Sequence, residues 1–122
     1  MRILIIEDDS NEVALFKAIF AKYNAITYVT NNPYEGLHIA MNDEIDILIT
    51  DLAMPVLDGF TIIEEIRKVN KTLPIIAVSC YVNKDAKDRC FSLGGSYFIE
   101  KPFEIEDIYK VVNNIRDEFG FE

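Results

Sequence analysis

Five short apolar runs alternate with amphipathic stretches along the whole chain, and that alternation leaves little choice of architecture. The runs are residues 3–6, 26–29, 45–49, 74–78 and 97–99. The first, third and fourth are almost continuously apolar, which is how a strand reads when both of its faces are covered, as in a parallel sheet. The stretches between them have helical spacing. Val13, Phe16, Phe20 and Tyr23 form one stripe, and Phe60, Ile63, Ile66 and Val69 a second. Ala86, Cys90 and Leu93 form a third, and Ile105, Ile108, Val112, Ile115 and Phe119 a fourth. A weaker helix is expected over 33–41, with Pro33 in its first turn. Asp9 or Ser10 is expected to cap the first helix, Asn83 to cap the fourth, and Gly120 to stop the last. Strand then helix, five times over, predicts a single α/β doubly wound (βα)5 domain with a five-stranded parallel sheet and right-handed crossovers.

Size and charge narrow what such a domain can do. The chain has 122 residues, one domain's worth, so a single domain over 1–122 is expected. Lys plus Arg is 12 and Asp plus Glu is 21, a net charge of −9. A surface that acidic repels phosphate backbones and anionic lipid, so neither nucleic acid nor membrane is expected as a direct partner. No apolar run is long enough for a membrane span or a signal peptide, since Ile3–Ile6 is followed at once by Glu7-Asp8-Asp9; a cytoplasmic location is expected. Cys80 and Cys90 are too few for a disulfide framework and lack metal-site spacing.

In open α/β sheets ligands sit outside the carboxyl ends of the strands. The first run is followed by Glu7, Asp8 and Asp9, the third by Thr50 and Asp51, the fourth by Ser79, and the fifth by Lys101, Pro102 and Phe103. The expected fold gathers these at one edge: a carboxylate cluster with one hydroxyl and one ammonium. Two carboxylates 4–5 Å apart repel by roughly 3–4 kcal/mol at an effective dielectric of ~20, so the cluster needs a cation or must hold protons. Oxygen donors without His or Cys suit Mg²⁺ or Mn²⁺. Such a cation keeps room for a phosphate oxygen, and the Lys and Ser supply donors for the others, which is what phosphoryl transfer to a carboxylate requires. Singly, each group has a plainer reading. Acids after strands often cap helices, a Ser there is a turn residue, and a Lys before Pro is a surface charge.

The sequence resembles the receiver (CheY-like) domains of bacterial two-component response regulators. The matching segments are Ile3-Leu4-Ile5-Ile6-Glu7-Asp8-Asp9, Asp46-Ile47-Leu48-Ile49-Thr50-Asp51-Leu52-Ala53-Met54-Pro55 and Leu57-Asp58-Gly59. To these add Pro74-Ile75-Ile76-Ala77-Val78-Ser79 and Gly94-Gly95-Ser96-Tyr97-Phe98-Ile99-Glu100-Lys101-Pro102-Phe103. The resemblance covers the whole chain. It implies a flavodoxin-like strand order, 2-1-3-4-5. It implies that Asp51 is the phosphoacceptor, that Glu7 and Asp8 hold Mg²⁺ with Asp51, and that the backbone carbonyl of Ala53 is a further metal ligand. Lys101 and Ser79 would bind phosphoryl oxygens, with Lys101 paired to Asp51 beforehand. Phe98 would be the switch aromatic, and the Lys101–Pro102 bond a cis candidate. The implied partners are a sensor histidine kinase or histidine phosphotransfer protein, and a downstream protein or an output domain absent from this chain. The readout would be a changed surface of the fourth helix, fifth strand and fifth helix.

Some positions depart from the family's habits. Ser96 and Tyr97 stand where the winged-helix branch usually has two acids, and Val111 where it often has Arg, which argues against that branch's charged dimer face. Ala53 and Tyr81, two residues past Asp51 and Ser79, flank the path of water to an acyl phosphate, so Tyr81 is expected to set its lifetime. Other readings are a degenerate receiver that only binds proteins, a Mg²⁺-dependent dehalogenase-like phosphatase, and a flavodoxin-like cofactor module. The phosphatase needs a second Asp where Ala53 stands. The cofactor module needs a phosphate-binding loop where Glu7-Asp8-Asp9 would repel the ligand.

Overall fold

The structure, a computed structural model, describes residues 1–81 and 83–120. The expected domain end at Phe121 and Glu122 lies outside them. Strands β1 (Arg2–Ile6), β2 (Ile26–Thr30), β3 (Ile47–Asp51), β4 (Ile75–Ser79) and β5 (Tyr97–Glu100) alternate with five helices. These are α1 (Ser10–Ala21), α2 (Pro33–Asn42), α3 (Gly59–Val69), α4 (Lys84–Leu93) and α5 (Ile105–Phe119). All strand pairs are parallel and the order is β2-β1-β3-β4-β5, as expected.

The continuous apolar runs are explained by two cores. Successive strand side chains point to opposite faces. Ile3, Ile5, Ile47, Ile49, Ile76 and Val78 pack with Phe16, Ile19 and Phe20 of α1 and Ile108, Val112 and Ile115 of α5. Leu4, Ile6, Leu48, Ile75 and Ala77 pack on the other side with Ala40 of α2, Ile62, Ile63 and Ile66 of α3, and Ala86 and Cys90 of α4. The helix ends follow local chemistry. Asp9 Oδ1 accepts the Asn11 and Glu12 N–H groups, Asn32 Oδ1 those of Tyr34 and Glu35, and Asn83 Oδ1 that of Ala86. Pro33 opens α2, and Gly94 and Gly120, with φ of 112° and 73°, end α4 and α5 in the left-handed region.

Two expectations need correction. Strands β3 and β4 begin and end later than their apolar runs, because the ladder is made by backbone. Thr50 pairs with Ala77 and Asp51 with Val78, so Thr50, Asp51 and Ser79 are the last rungs of their strands, not residues beyond them. Asp46, inside the expected third strand, instead bonds back to Arg2, its Oδ2 accepting the Arg2 N–H at 2.7 Å. In α3, Val69 is 61% exposed although it completes a three-residue stripe with Phe60. At about 100° per residue, nine residues carry Val69 roughly half a turn from Phe60. Ile62, outside that stripe, is buried in its place.

Candidate functional site

The carboxyl edge of β1, β3 and β5 carries the chemistry. Glu7 leaves β1 with its N–H still bonded to Thr30 O, which turns its side chain inward until 2% of the residue is exposed. Its Oε1 accepts the N–H groups of Asp8 and Asp9, each at 3.1 Å. Asp51, 5% exposed, accepts the Ala53 N–H on Oδ1 at 2.9 Å and the Lys101 ammonium on Oδ2 at 2.8 Å. Asp8 is exposed, yet one carboxylate oxygen from each of Glu7, Asp8 and Asp51 lies within 4.8 Å of the others.

Lys101 reaches this cluster because its backbone N–H bonds Ser79 O at 2.8 Å, which ties the end of β5 to the end of β4. The Lys101–Pro102 peptide is cis. Ser79 is fully buried, and its Oγ accepts the Tyr81 N–H at 2.9 Å. Phe98, half-buried on β5, packs against the α2–α3–α4 core. Asp58 of the Asp-Gly pair caps α3 through the Thr61 N–H at 2.9 Å. Gly59 comes so close to β3 that a Cβ there would collide with the Asp51 carbonyl oxygen and Leu52. Tyr81 stacks on Phe60 at 6.4 Å between centroids, and Arg89 lies over the Phe60 ring at 4.2 Å.

Electrostatics at the edge follow from burial and crowding. Burial, then the Asp51 charge, push the Glu7 carboxyl up to about 8, against the opposing effects of the Asp9 N–H and Lys101. Burial alone would lower the pKa of Lys101. Hydrogen bonds to Asp51 and Glu12, together with the charges of Asp51 and Glu7, outweigh it and hold the ammonium protonated well beyond its ordinary range. Sequence reasoning missed Glu12, whose Oε2 sits 2.7 Å from Lys101 Nζ. It stands on α1 and not at a strand end, and Asp9-Ser10-Asn11-Glu12 reads as an ordinary capping pattern. In three dimensions a buried acid, a half-shielded ammonium and an exposed acid surround one carboxylate that has both oxygens bonded. Hard oxygen donors grouped so closely fit a small divalent cation and not a soft one.

Residues 3–113 match the response regulator receiver domain family. Among curated relatives, the chain is 34% identical over 114 residues to the sensor histidine kinase CheAY of Helicobacter pylori, covering 90% of this chain and 14% of that protein. It is 26% identical over 111 residues to the regulatory protein AtoC of Escherichia coli (strain K12), covering 91% of this chain and 24% of AtoC. The chain thus spans a quarter or less of the length of these two relatives. Among solved structures, the Francisella response regulator 1452 receiver domain superposes with a TM-score of 0.89 at 25% identity, covering 97% of this chain and 98% of that one.

Proposed function

The chain belongs to the response regulator receiver family, and from that premise we propose that Asp51 accepts a phosphoryl group from a phosphohistidine, on a sensor histidine kinase or a histidine phosphotransfer protein. The observation that carries this reading is the buried Asp51 carboxylate, held by the Ala53 N–H and the Lys101 ammonium inside an acidic cluster. An Asp51 oxygen attacks phosphorus, the P–N bond breaks, and the imidazole nitrogen keeps the electron pair and takes up a proton. Ala53 N–H fixes the rotamer of the attacking carboxylate. Lys101 turns one N–H from Asp51 Oδ2 to a phosphoryl oxygen, and the Ser79 hydroxyl, whose lone pair already faces Tyr81 N–H, donates its proton to another.

Glu7, Asp8, Asp51 and the Ala53 carbonyl would hold Mg²⁺ or Mn²⁺. Bound there, the cation offsets the negative charge that the cluster and the phosphoryl group bring together. Receiver domains are signalling domains, and this one is read as its own substrate, with no turnover of an external one. The phosphoryl group binds one of two conformations better, through Ser79 and Lys101. The packing of Phe98 carries the change to the surface of α4, β5 and α5, where a downstream protein or an attached output domain reads it. Incubation with acetyl phosphate or phosphoramidate and Mg²⁺, followed by intact mass, tests the reading. A gain of one phosphoryl group in wild type and none in Asp51→Asn is expected; a wild-type chain that never gains mass overturns it.

A further inference from the structure

The Lys101 ammonium has three N–H donors, and three carboxylates face it: Glu12 at 2.7 Å, Asp51 at 2.8 Å and Glu7 at 3.4 Å. The shortest contact is to Glu12, in the first turn of α1, outside the acidic cluster that groups Glu7, Asp8 and Asp51. Glu12 is free for this contact because its usual local task is taken. An acid three residues after an N-cap normally bonds back to the N-cap N–H. Here the Asp9 N–H is already donated to Glu7 Oε1 at 3.1 Å, and the Glu12 carboxylate reaches across to the β5–α5 connection instead. Its side chain is 21% exposed, so solvent screens its charge only in part.

On the reading of Asp51 as phosphoacceptor, we propose that Glu12 is a positioning residue that holds Lys101 in place while restraining its grip on the phosphoryl group, and so slows phosphorylation by small anionic donors. When a phosphoryl group arrives, only the N–H now on Asp51 is released to it; the other two remain with Glu12 and Glu7. Glu12 also leaves a fixed negative charge beside the ammonium that must attract a dianion. A neutral amide in the same place keeps the hydrogen bond and removes that charge. Even screened as in bulk water, one unit charge ~7–10 Å from a dianion corresponds to roughly three- to tenfold in rate.

Initial rates of phosphorylation by acetyl phosphate, read by intact mass at Mg²⁺ saturating for each variant, test this in wild type, Glu12→Gln and Glu12→Asp. Glu12→Gln is expected to react about three- to tenfold faster at low ionic strength, and the ratio is expected to close toward one as salt is raised. Glu12→Asp, which keeps the charge, is expected to stay close to wild type. Should Glu12→Gln fail to fold by circular dichroism, this isosteric hydrogen-bonding variant is replaced by Glu12→Ser, and the charge effect is read from the salt dependence of its rate relative to wild type. A neutral variant no faster than wild type, or a ratio indifferent to salt, overturns the proposal while leaving Asp51 as acceptor. A wild-type chain that takes no phosphoryl group overturns the reading of Asp51 and this proposal with it.

Discussion

Lys101 is the residue on which the edge of the sheet balances. It is the cation for three carboxylates of which two are almost fully buried. Removing one partner of such a group leaves the others uncompensated, a loss of about 2–3 kcal/mol for a pair shielded as this one is. Lys101→Met is therefore expected to lower the urea midpoint of the metal-free protein, and added Mg²⁺ to recover part of the loss. A midpoint equal to wild type would mean that the three contacts contribute nothing to folding. The two thiols also separate by environment. Burial pushes Cys90 up to about 11, whereas Cys80 is exposed beside Ser79. At pH 8 the Cys90 thiolate is about one part in a thousand. One equivalent of an aromatic disulfide reagent should react with the native protein at Cys80 and a second only after unfolding. At this scale Glu7, Asp8, Asp51, Ser79 and Lys101 were legible, because acids, a hydroxyl and a Lys after apolar runs stand out in one dimension. Glu12 was not, because its partner lies 89 positions away and its local pattern has an ordinary explanation.

Elements were legible where side chains decide them and blurred where backbone does. The α5 stripe predicts the helix that forms, because Ile108, Val112 and Ile115 keep one face through 3.6-residue turns. The ends of β3 and β4 were misplaced, because a ladder hydrogen bond does not register whether the side chain is Ile or Asp. Gly59 shows the cost of bringing an element close to the site. The start of α3 lies against the Asp51 carbonyl with no room for a methyl group. Gly59→Ala is expected to destabilise the fold by about 1–3 kcal/mol through overpacking, measurable by urea denaturation. It should also slow phosphorylation by displacing the Asp51 backbone. Asp58→Ala, which removes only the cap of α3, should cost about 1 kcal/mol and leave the phosphorylation rate nearly unchanged. If the two variants affect the rate equally, the close approach of Gly59 is not what positions Asp51.

For the molecule as a whole, two apolar layers cover the faces of a parallel sheet while its carboxyl edge gathers four acids around one lysine. Part of the net −9 is thus concentrated where a cation can relieve it. A ligand that binds only the folded state at ten times its dissociation constant adds about 1.4 kcal/mol. Mg²⁺ should accordingly raise the melting temperature. Asp8→Asn should abolish most of that rise while raising the melting temperature without metal, since it removes one of three mutually repelling acids. The fold class was readable from the alternation of runs alone, since few architectures cover both faces of five strands; the strand order was implied only by the family resemblance, because doubly wound sheets occur in more than one order. The choice of Asp51 among the acids was not readable from physics alone, and in the folded edge Glu7 also has both oxygens bonded; Asp51 differs in its shorter, 2.8 Å contact to Lys101. That choice is tested most directly by trapping. Protein treated with acetyl phosphate and Mg²⁺ is reduced with borohydride, which converts an aspartyl phosphate to homoserine, and the peptides are sequenced by mass. Homoserine at position 51 and at no other acid is the expected result. Homoserine at another Asp, the longer 2-amino-5-hydroxypentanoic acid at a Glu, or neither from protein that has gained the mass of a phosphoryl group, would contradict the assignment of Asp51.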